Sequence, residues 1–219
     1  MYNTVQKLIN IEKEIKNNLN ELNINHQTKI IAVSKTFGIN KIMPLIDYGH
    51  IDFGENKVQE AIDKWSEIKD RNKNIKLHMI GKLQTNKVKF AVKLFDYIHS
   101  VDSQKLALKI SDESLKINKK LKIFIQVNIG EEIQKAGTNK EEVENLVIFC
   151  RKLNLDLIGL MCIPPINLDS EKYFKEMSIL NKNLGFSELS MGMSSDYLKA
   201  SENTSTFVRI GSSIFGPRN

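Results

Sequence analysis

The chain has 219 residues, of which 41% are hydrophobic and 26% are charged. This composition is typical of a globular protein and excludes a disordered or fibrous chain as a description of the whole. The net charge of +6 comes mainly from lysines that are spread along the sequence among asparagine and isoleucine. Scattered lysines are typical of a solvated surface, so we do not expect the clustered basic face of a nucleic-acid-binding protein.

Cysteine and histidine patterns indicate neither a disulfide framework nor a metal site. Cys150 and Cys162 lack the spacing of a zinc motif, and the four histidines are scattered along the chain. No window reaches the roughly 18 unbroken apolar residues of a membrane span, and the N-terminus does not resemble a signal peptide. We therefore expect a cytoplasmic protein without a metal ion and without a membrane anchor.

Strands and helices alternate along most of the chain. Residues 2–22 place apolar side chains at helical spacing, which predicts an amphipathic N-terminal helix. Short apolar, β-branched runs predict strands at 29–35, 51–56, 75–81, 96–102, 121–128, 155–162, 186–192 and 206–211. The predicted helices between them are 39–48, 57–70, 86–95, 103–119, 139–153, 169–183 and 195–201.

Eight strands joined by helices predict a parallel sheet that is covered on its faces. In a chain of this length, eight βα units favour an α/β fold with a single-domain (β/α)8 TIM barrel over residues 1–219, preceded by an extra N-terminal helix. A doubly wound open sheet is the alternative. Its glycine fingerprint is absent, because the first strand continues into SKTFG at 34–38.

Lys35 closes the first predicted strand and is the first candidate site residue. The active site of a βα-barrel lies at the carboxyl ends of its strands. Partial desolvation at that position favours the uncharged amine, the form that attacks a carbonyl group to give a Schiff base. The alternative is a strand-end lysine whose amine simply extends into water.

The C-terminal run TFVRIGSSIFG, at 206–216, has the features of a phosphate site. Gly211 lets the backbone approach a ligand closely, and Gly211, Ser212 and Ser213 can open a short helix whose free N–H groups bind phosphate. Barrels often hold phosphate after their last two strands, where Ser194 can donate a hydroxyl to the same anion. A plain helix N-cap is the alternative interpretation.

Arg209 lies inside the last apolar strand and needs a partner for its charge. Asp and Arg are the recurring partners of a pyridoxal ring nitrogen, so a phosphate-bearing ring held by Lys35 would provide one. An arginine, always charged, donates to an unprotonated ring nitrogen and makes the ring a weaker electron sink. The alternative is an ion pair with Glu55 or Asp102.

Seven segments, in order along the chain, resemble one known family. They are AVSKT at 32–36, FGEN at 53–56, HMIGKLQTNK at 78–87, QVNI at 126–129, GLMCIPP at 159–165, LSMGMSSD at 189–196 and VRIGSSIFG at 208–216. On these motifs the chain resembles the pyridoxal phosphate homeostasis proteins, also called the YggS/PROSC family. That family is a single barrel similar to the N-terminal domain of alanine racemase.

The resemblance implies that the chain binds pyridoxal 5′-phosphate (PLP). By position, the cofactor-binding residues are Lys35, Asn56, Ser194, Arg209, Gly211 and Ser212. In the family, the lysine holds PLP as a Schiff base, the arginine faces the ring nitrogen, and the serine and the backbone after RIG contact the phosphate. Ser212 stands where the family commonly has threonine, a change that keeps the hydroxyl and the backbone N–H.

The resemblance further implies a carrier of PLP that serves vitamin B6 homeostasis without substrate turnover. PLP-dependent apoenzymes are the implied recipients, and we expect a monomer. A PLP-dependent amino-acid racemase is the alternative, and a Schiff-base aldolase or sugar-phosphate isomerase on the same fold is a third hypothesis.

Lys135 belongs either to a second anion site, as the resemblance suggests, or to a solvated turn. His78 is expected to be a hydrogen-bonded core residue.

Overall fold

The computed structural model describes residues 3–166 and 168–217. Eight parallel strands close into a barrel in the order β1 to β8, each paired with its neighbours in the sequence and β8 paired with β1. The strands are β1 Lys29–Val33, β2 Asp52–Glu55, β3 Lys76–Met79, β4 Tyr97–Val101, β5 Lys122–Val127, β6 Asp156–Cys162, β7 Glu188–Ser190 and β8 Phe207–Ile210. The predicted (β/α)8 barrel is confirmed.

The helices follow the strands as the sequence predicts. They are α1 Asn3–Glu21, α2 Ile39–Tyr48, α3 Val58–Arg71, α4 Val88–Leu94, α5 Gln104–Lys116, α6 Val143–Lys152, α7 Ser170–Asn183, α8 Tyr197–Glu202 and α9 Ser212–Phe215. Short 3₁₀ turns at Thr85–Lys87 and Lys140–Glu142 lead into α4 and α6. α9 is the short helix that the glycine and serines after β8 predict.

The protein has two apolar layers, one outside and one inside the sheet. Side chains alternate along each strand, so every second residue faces the helices and the others face the barrel axis. The outer layer contains aliphatic residues such as Ala32, Leu77 and Val208, packed against buried helical residues such as Leu45. The interior forms a separate cluster of Ile31, Tyr97, Phe124, Met161 and Phe207.

The extra helix α1 packs on the outside of the barrel. Its buried residues Val5, Leu8, Ile11, Ile15 and Leu19 lie on one stripe, which is the stripe that the helical spacing predicts. Polar contacts with α8 fix its position: Tyr197 Oη donates a hydrogen bond to Glu14, and Asn18 Nδ2 donates to Glu202 Oε1 at 2.8 Å. Across the described residues, we find no helical segment with the length and hydropathy of a bilayer span.

Candidate functional site

Lys35 lies in a tight turn directly after β1. Phe37 N donates to the carbonyl oxygen of Ser34 at 3.1 Å, which closes the turn, and Thr36 at its centre has a φ of +68°. A positive φ is unfavourable for a β-branched residue and persists only where surrounding contacts hold it. By alternation from the inward-facing Ile31, Val33 faces the barrel axis at the end of β1, and the half-buried Lys35 follows two residues later.

A polar cluster outside the sheet holds this turn in place. Glu60 Oε1 accepts a hydrogen bond from Thr36 N at 2.6 Å, and Lys64 Nζ donates to the carbonyl oxygen of Ser34 at 2.8 Å. Glu55 Oε1 accepts from Ser34 Oγ at 2.7 Å, and from Lys64 Nζ and Trp65 Nε1 at 2.9 Å each. Glu55 therefore fastens the Lys35 turn to α3, and it faces away from the barrel interior.

Asn56 follows β2 beside the Lys35 turn. Its Oδ1 atom is buried and has no hydrogen-bond partner among the described residues. Gly81, at the end of β3, lies so close that an added Cβ would be 2.4 Å from the Asn56 carbonyl oxygen. The chain thus needs a glycine at 81 to accommodate Asn56, whose buried amide oxygen lacks, within the described part of the chain, the partner that buried polar atoms normally have.

The loops after β7 and β8 meet at the same end of the barrel. Ser213 N donates to Ser194 Oγ at 3.4 Å, so the two loops that the sequence assigns to phosphate are in contact. Phe215 stacks on Phe37 of the Lys35 turn with ring centroids 5.1 Å apart. Gly211 lies against the end of β1, where an added Cβ would be 3.4 Å from the Val33 carbonyl oxygen. The residues of these two loops therefore adjoin the turn that carries Lys35.

Arg209 is a buried cation with neutral partners. It is 4% exposed, and its guanidinium donates to Ser190 Oγ and to the Cys162 carbonyl oxygen, both at 2.9 Å. Within residues 3–166 and 168–217 it forms no ion pair, so the alternative pairing with Glu55 or Asp102 is wrong. Burial lowers the pKa of Arg209, although a guanidinium remains charged in proteins.

Two buried histidines lie in the barrel interior next to Arg209. His99 Nδ1 is 2.9 Å from Ser190 Oγ, and His99 Nε2 is 2.9 Å from His78 Nδ1. His78 Nε2 is 3.0 Å from Asp52 Oδ1. β4 and β7 are not neighbours in the sheet, so the bond between His99 and Ser190 crosses the barrel. His78 is the hydrogen-bonded core residue that the sequence predicts.

The sequence matches one family model and several known proteins over most of its length. Residues 11–219 match the family model described as alanine racemase, N-terminal domain. The chain is 38% identical over 202 residues to the pyridoxal phosphate homeostasis protein of Vibrio alginolyticus, covering 87% of each protein. It is 35% identical to the protein of the same name from Haemophilus influenzae, covering 95% of this chain and 93% of that one. The chain belongs to the pyridoxal phosphate homeostasis protein family.

Solved structures of this family have the same architecture. PipY of Synechococcus elongatus, in the structure with PLP bound, is 32% identical and superposes with a TM-score of 0.81 over 92% of this chain and 100% of that one. Its structure without PLP gives a TM-score of 0.83 at 33% identity. An alanine racemase of Clostridium difficile, 17% identical with a TM-score of 0.70, shares the fold and matches over 56% of its length.

The predicted site residues come from separate parts of the sequence and lie at one end of the barrel. They follow β1, β2 and β7, lie within β8 or begin α9: Lys35, Asn56, Ser194, Arg209, Gly211 and Ser212. Sequence patterns did not indicate the contact between His78 and His99, nor the contacts of Ser190 and Asp52 with these histidines. Inward-facing polar residues at every second strand position are the signal that could have indicated them.

Two further possibilities from the sequence concern a metal site and Lys135. Among the residues that the structure describes, no group of three or more histidine, cysteine and acidic side chains could hold a metal ion. Lys135 Nζ contacts Glu132 and donates to the Pro164 carbonyl oxygen at 3.1 Å. Its amine is therefore held within the loop after β5, which agrees better with an ordered turn than with a second anion site.

Proposed function

We propose that this protein binds PLP and serves in PLP homeostasis, with residues 1–219 acting as one PLP-binding unit. The observation that carries the proposal is Arg209, a buried cation whose described partners are neutral, next to loops suited to phosphate. The orphaned Oδ1 of Asn56 at the same end of the barrel is a second unsatisfied group. A small ligand with a phosphate and a hydrogen-bonding ring would satisfy both.

The residues present fit the chemical groups of PLP. Gly211, Ser212 and the hydroxyl of Ser194 would hold its phosphate, because the first N–H groups of a helix have no partners within the helix. Asn56 would contact the ring, and Arg209 would donate to the ring nitrogen. When bound, PLP supplies an aldehyde that forms a Schiff base with a lysine amine, here that of Lys35.

Arg209 supports a carrier rather than a catalyst. It can donate a hydrogen bond but cannot give up its proton, so it would leave the ring nitrogen unprotonated. An unprotonated ring withdraws electrons less effectively than one that is paired with an aspartate, which disfavours removal of an α-proton from an amino acid. We therefore propose that the protein carries PLP without substrate turnover, and the racemase alternative stays the second hypothesis.

Transfer to apoenzymes is part of the proposal. Lys35 is half-buried and Ser212 is exposed, so the cofactor end of the barrel is accessible from outside.

We place this role in the cytoplasm and expect a monomer. Both cysteines are free and buried, and burial raises the pKa of each thiol to about 12, which suits structural thiols in a reducing compartment.

Borohydride trapping tests the proposal. The protein is mixed with PLP, reduced and mapped by peptide mass spectrometry. We expect the pyridoxyl mass on Lys35 and its loss in Lys35→Ala, whereas the exposed Lys82, at the same end of the barrel, is the matched control and Lys82→Ala keeps the label on Lys35. Label spread over surface lysines, or label that persists elsewhere at full yield in Lys35→Ala, would show that this is not the site.

Turnover is tested separately. Proteins that catalyse racemisation exchange the α-proton of an amino acid with solvent, which NMR detects in deuterated water. We expect no exchange with alanine, serine or lysine at high protein concentration. Exchange that disappears in Lys35→Ala would favour the racemase instead. Reactivation of a PLP-dependent apoenzyme by the loaded protein, faster than by an equal concentration of free PLP, is the expected result for a carrier.

A further inference from the structure

One column of hydrogen bonds runs through the barrel interior from the site to the opposite end. Its members, in spatial order, are Arg209, Ser190, His99, His78 and Asp52, joined by contacts of 2.9 to 3.0 Å. They come from β8, β7, β4, β3 and β2. Asp52 is the first residue of its strand, so it lies at the end of the barrel away from the candidate site.

Both imidazoles in the column are neutral near pH 7. His78 and His99 are fully buried, and burial lowers the pKa of each, that of His99 to well below its usual range. His99 also lies near the charge of Arg209, which lowers its pKa further. Burial acts to raise the pKa of Asp52, but the hydrogen bond from His78 and the electrostatic interactions with His78, His50 and Lys76 together outweigh it, and the pKa is lowered. The carboxylate is therefore ionised.

These charge states allow a single arrangement of protons along the column. The carboxylate of Asp52 can only accept, so His78 donates from Nε2 and its Nδ1 is an acceptor. His99 must then donate from Nε2, and its own Nδ1 must accept. The hydroxyl of Ser190 donates to that nitrogen and accepts from Arg209. Every donor in the column has an acceptor, and all bonds point toward Asp52.

We propose that Asp52, His78, His99 and Ser190 are positioning residues that fix the guanidinium of Arg209 for its ligand, with Asp52 acting from the far end of the barrel. The column conducts no proton to the site, because arginine does not release one. Its function is to hold the hydroxyl of Ser190 as an acceptor that faces Arg209. The ligand is PLP if the proposed function holds, and the positioning itself is a property of the chain alone.

If His78 and His99 only filled the core, the position of their ring protons would not matter. His78 stacks on Tyr97 with ring centroids 4.1 Å apart, and His99 stacks on Phe124 at 4.3 Å, so both rings also fill the core. Stacking does not depend on which ring nitrogen carries the proton. The tautomer of each histidine therefore distinguishes a directional column from simple core packing.

Substitutions at Asp52 separate the acceptor from the charge. Asp52→Asn removes the charge and keeps an oxygen that accepts from His78. Asp52→Leu removes both. In the leucine variant one donor is left without an acceptor whichever way the column points, so the two directions become similar in energy. We expect both tautomers of His78 and His99 in Asp52→Leu and one tautomer in the natural protein and in Asp52→Asn.

The primary measurement is ¹⁵N NMR of histidine-labelled protein without ligand. One tautomer with the proton on Nε2 of both histidines, kept in Asp52→Asn and mixed in Asp52→Leu, supports the proposal. Mixed tautomers in the natural protein overturn it, and so does an identical pattern in the two Asp52 variants. Asp156→Asn is the matched control for charge, because Asp156 is the exposed first residue of β6 at the same end of the barrel.

PLP affinity is the second readout. Ser190→Ala removes one of the two described acceptors of Arg209, keeps the Cys162 carbonyl oxygen and leaves the other end of the column intact, and we expect it to weaken PLP binding about tenfold. Asp52→Leu should weaken binding in the same direction, whereas Asp52→Asn stays within about twofold of the natural protein. Unchanged affinity in Ser190→Ala overturns the proposal. If the natural protein takes up no PLP, the proposed function fails. The tautomer measurement alone then shows whether the column has one fixed direction.

Discussion

The two apolar layers of the barrel contrast in chemistry. The layer between sheet and helices is built from aliphatic side chains and fully buried aromatic rings such as Trp65. The barrel interior is smaller, and its rings lie next to His78, His99 and Arg209. The outer layer thus provides most of the buried apolar area, while the interior uses part of its volume for polar groups.

This difference separates what stabilises the fold from what prepares the site. Burial of aliphatic side chains contributes free energy without specifying direction. Buried polar groups are costly unless every donor finds an acceptor, but a fully satisfied network holds its members in one geometry. We therefore expect changes in the outer layer to alter stability with little effect on ligand binding, and changes in the interior to alter both.

The largest expected effect comes from removing outer-layer volume. Leu45 of α2 is fully buried, and Leu45→Ala should lower the free energy of unfolding by about 2 to 5 kcal/mol. Denaturant unfolding measures this loss. PLP affinity of the folded fraction should stay unchanged. A large loss of affinity at unchanged stability would contradict the separation of the two layers.

The pH dependence of stability tests the interior. The unfolded chain takes up protons on its histidines as the pH falls through about 6.5. Burial lowers the pKa of His78 and His99 in the folded protein, so the folded protein takes up fewer protons on them than the unfolded chain does.

Stability should therefore decrease as the pH falls from about 6.5 to 5, with a slope of up to about 1.4 kcal/mol per pH unit for each buried histidine. Unfolding free energies measured at several pH values give the slope directly. The half-buried His26 also has a lowered pKa because of burial, so His26→Gln should reduce the slope less than the loss of a column histidine. A flat profile over this range would mean that the column takes up protons.

Crowding at the cofactor end of the barrel should weaken PLP binding, and we expect this effect to be smaller than the two changes in stability above. Gly81→Ala places a Cβ 2.4 Å from the Asn56 carbonyl oxygen, and relief of this overlap costs about 1 to 3 kcal/mol. Because Asn56 must move, we expect lower affinity for PLP in a titration. Gly38→Ala is the control, since its Cβ would meet only the flexible side chain of Asn40, at 3.0 Å.

The smallest expected effect comes from the polar cluster outside the sheet that holds the Lys35 turn. Glu60→Ala removes the acceptor of Thr36 N and should weaken PLP binding about threefold, because the turn with its positive φ is less firmly held. Glu60→Gln keeps an acceptor oxygen and should bind PLP like the natural protein. Equal losses in both variants would show that the charge of Glu60, rather than its hydrogen bond, matters.

The elements were predictable from the sequence because their periodicity is strong. All eight strands and the helix α1 occur where apolar runs and helical spacing place them, with ends that differ by a few residues. β7 shows the largest difference, at Glu188–Ser190 against the predicted 186–192. The apolar residues Phe186 and Met191 flank it and extend the apolar pattern, but among the described residues the ladder pairs only Glu188, Leu189 and Ser190 with the neighbouring strands.

The sequence by itself determined the order of strands and helices, the barrel and the residues at the strand ends, because alternation and helical spacing are local properties. Only the tertiary structure decided the partners of the interior polar groups. His99 and Ser190 are 91 residues apart and lie on strands that are not neighbours, so nothing local brings them together. Closure of the sheet into a barrel brings His99 and Ser190 together. The same closure places Asp52 and Arg209 at the two ends of one column.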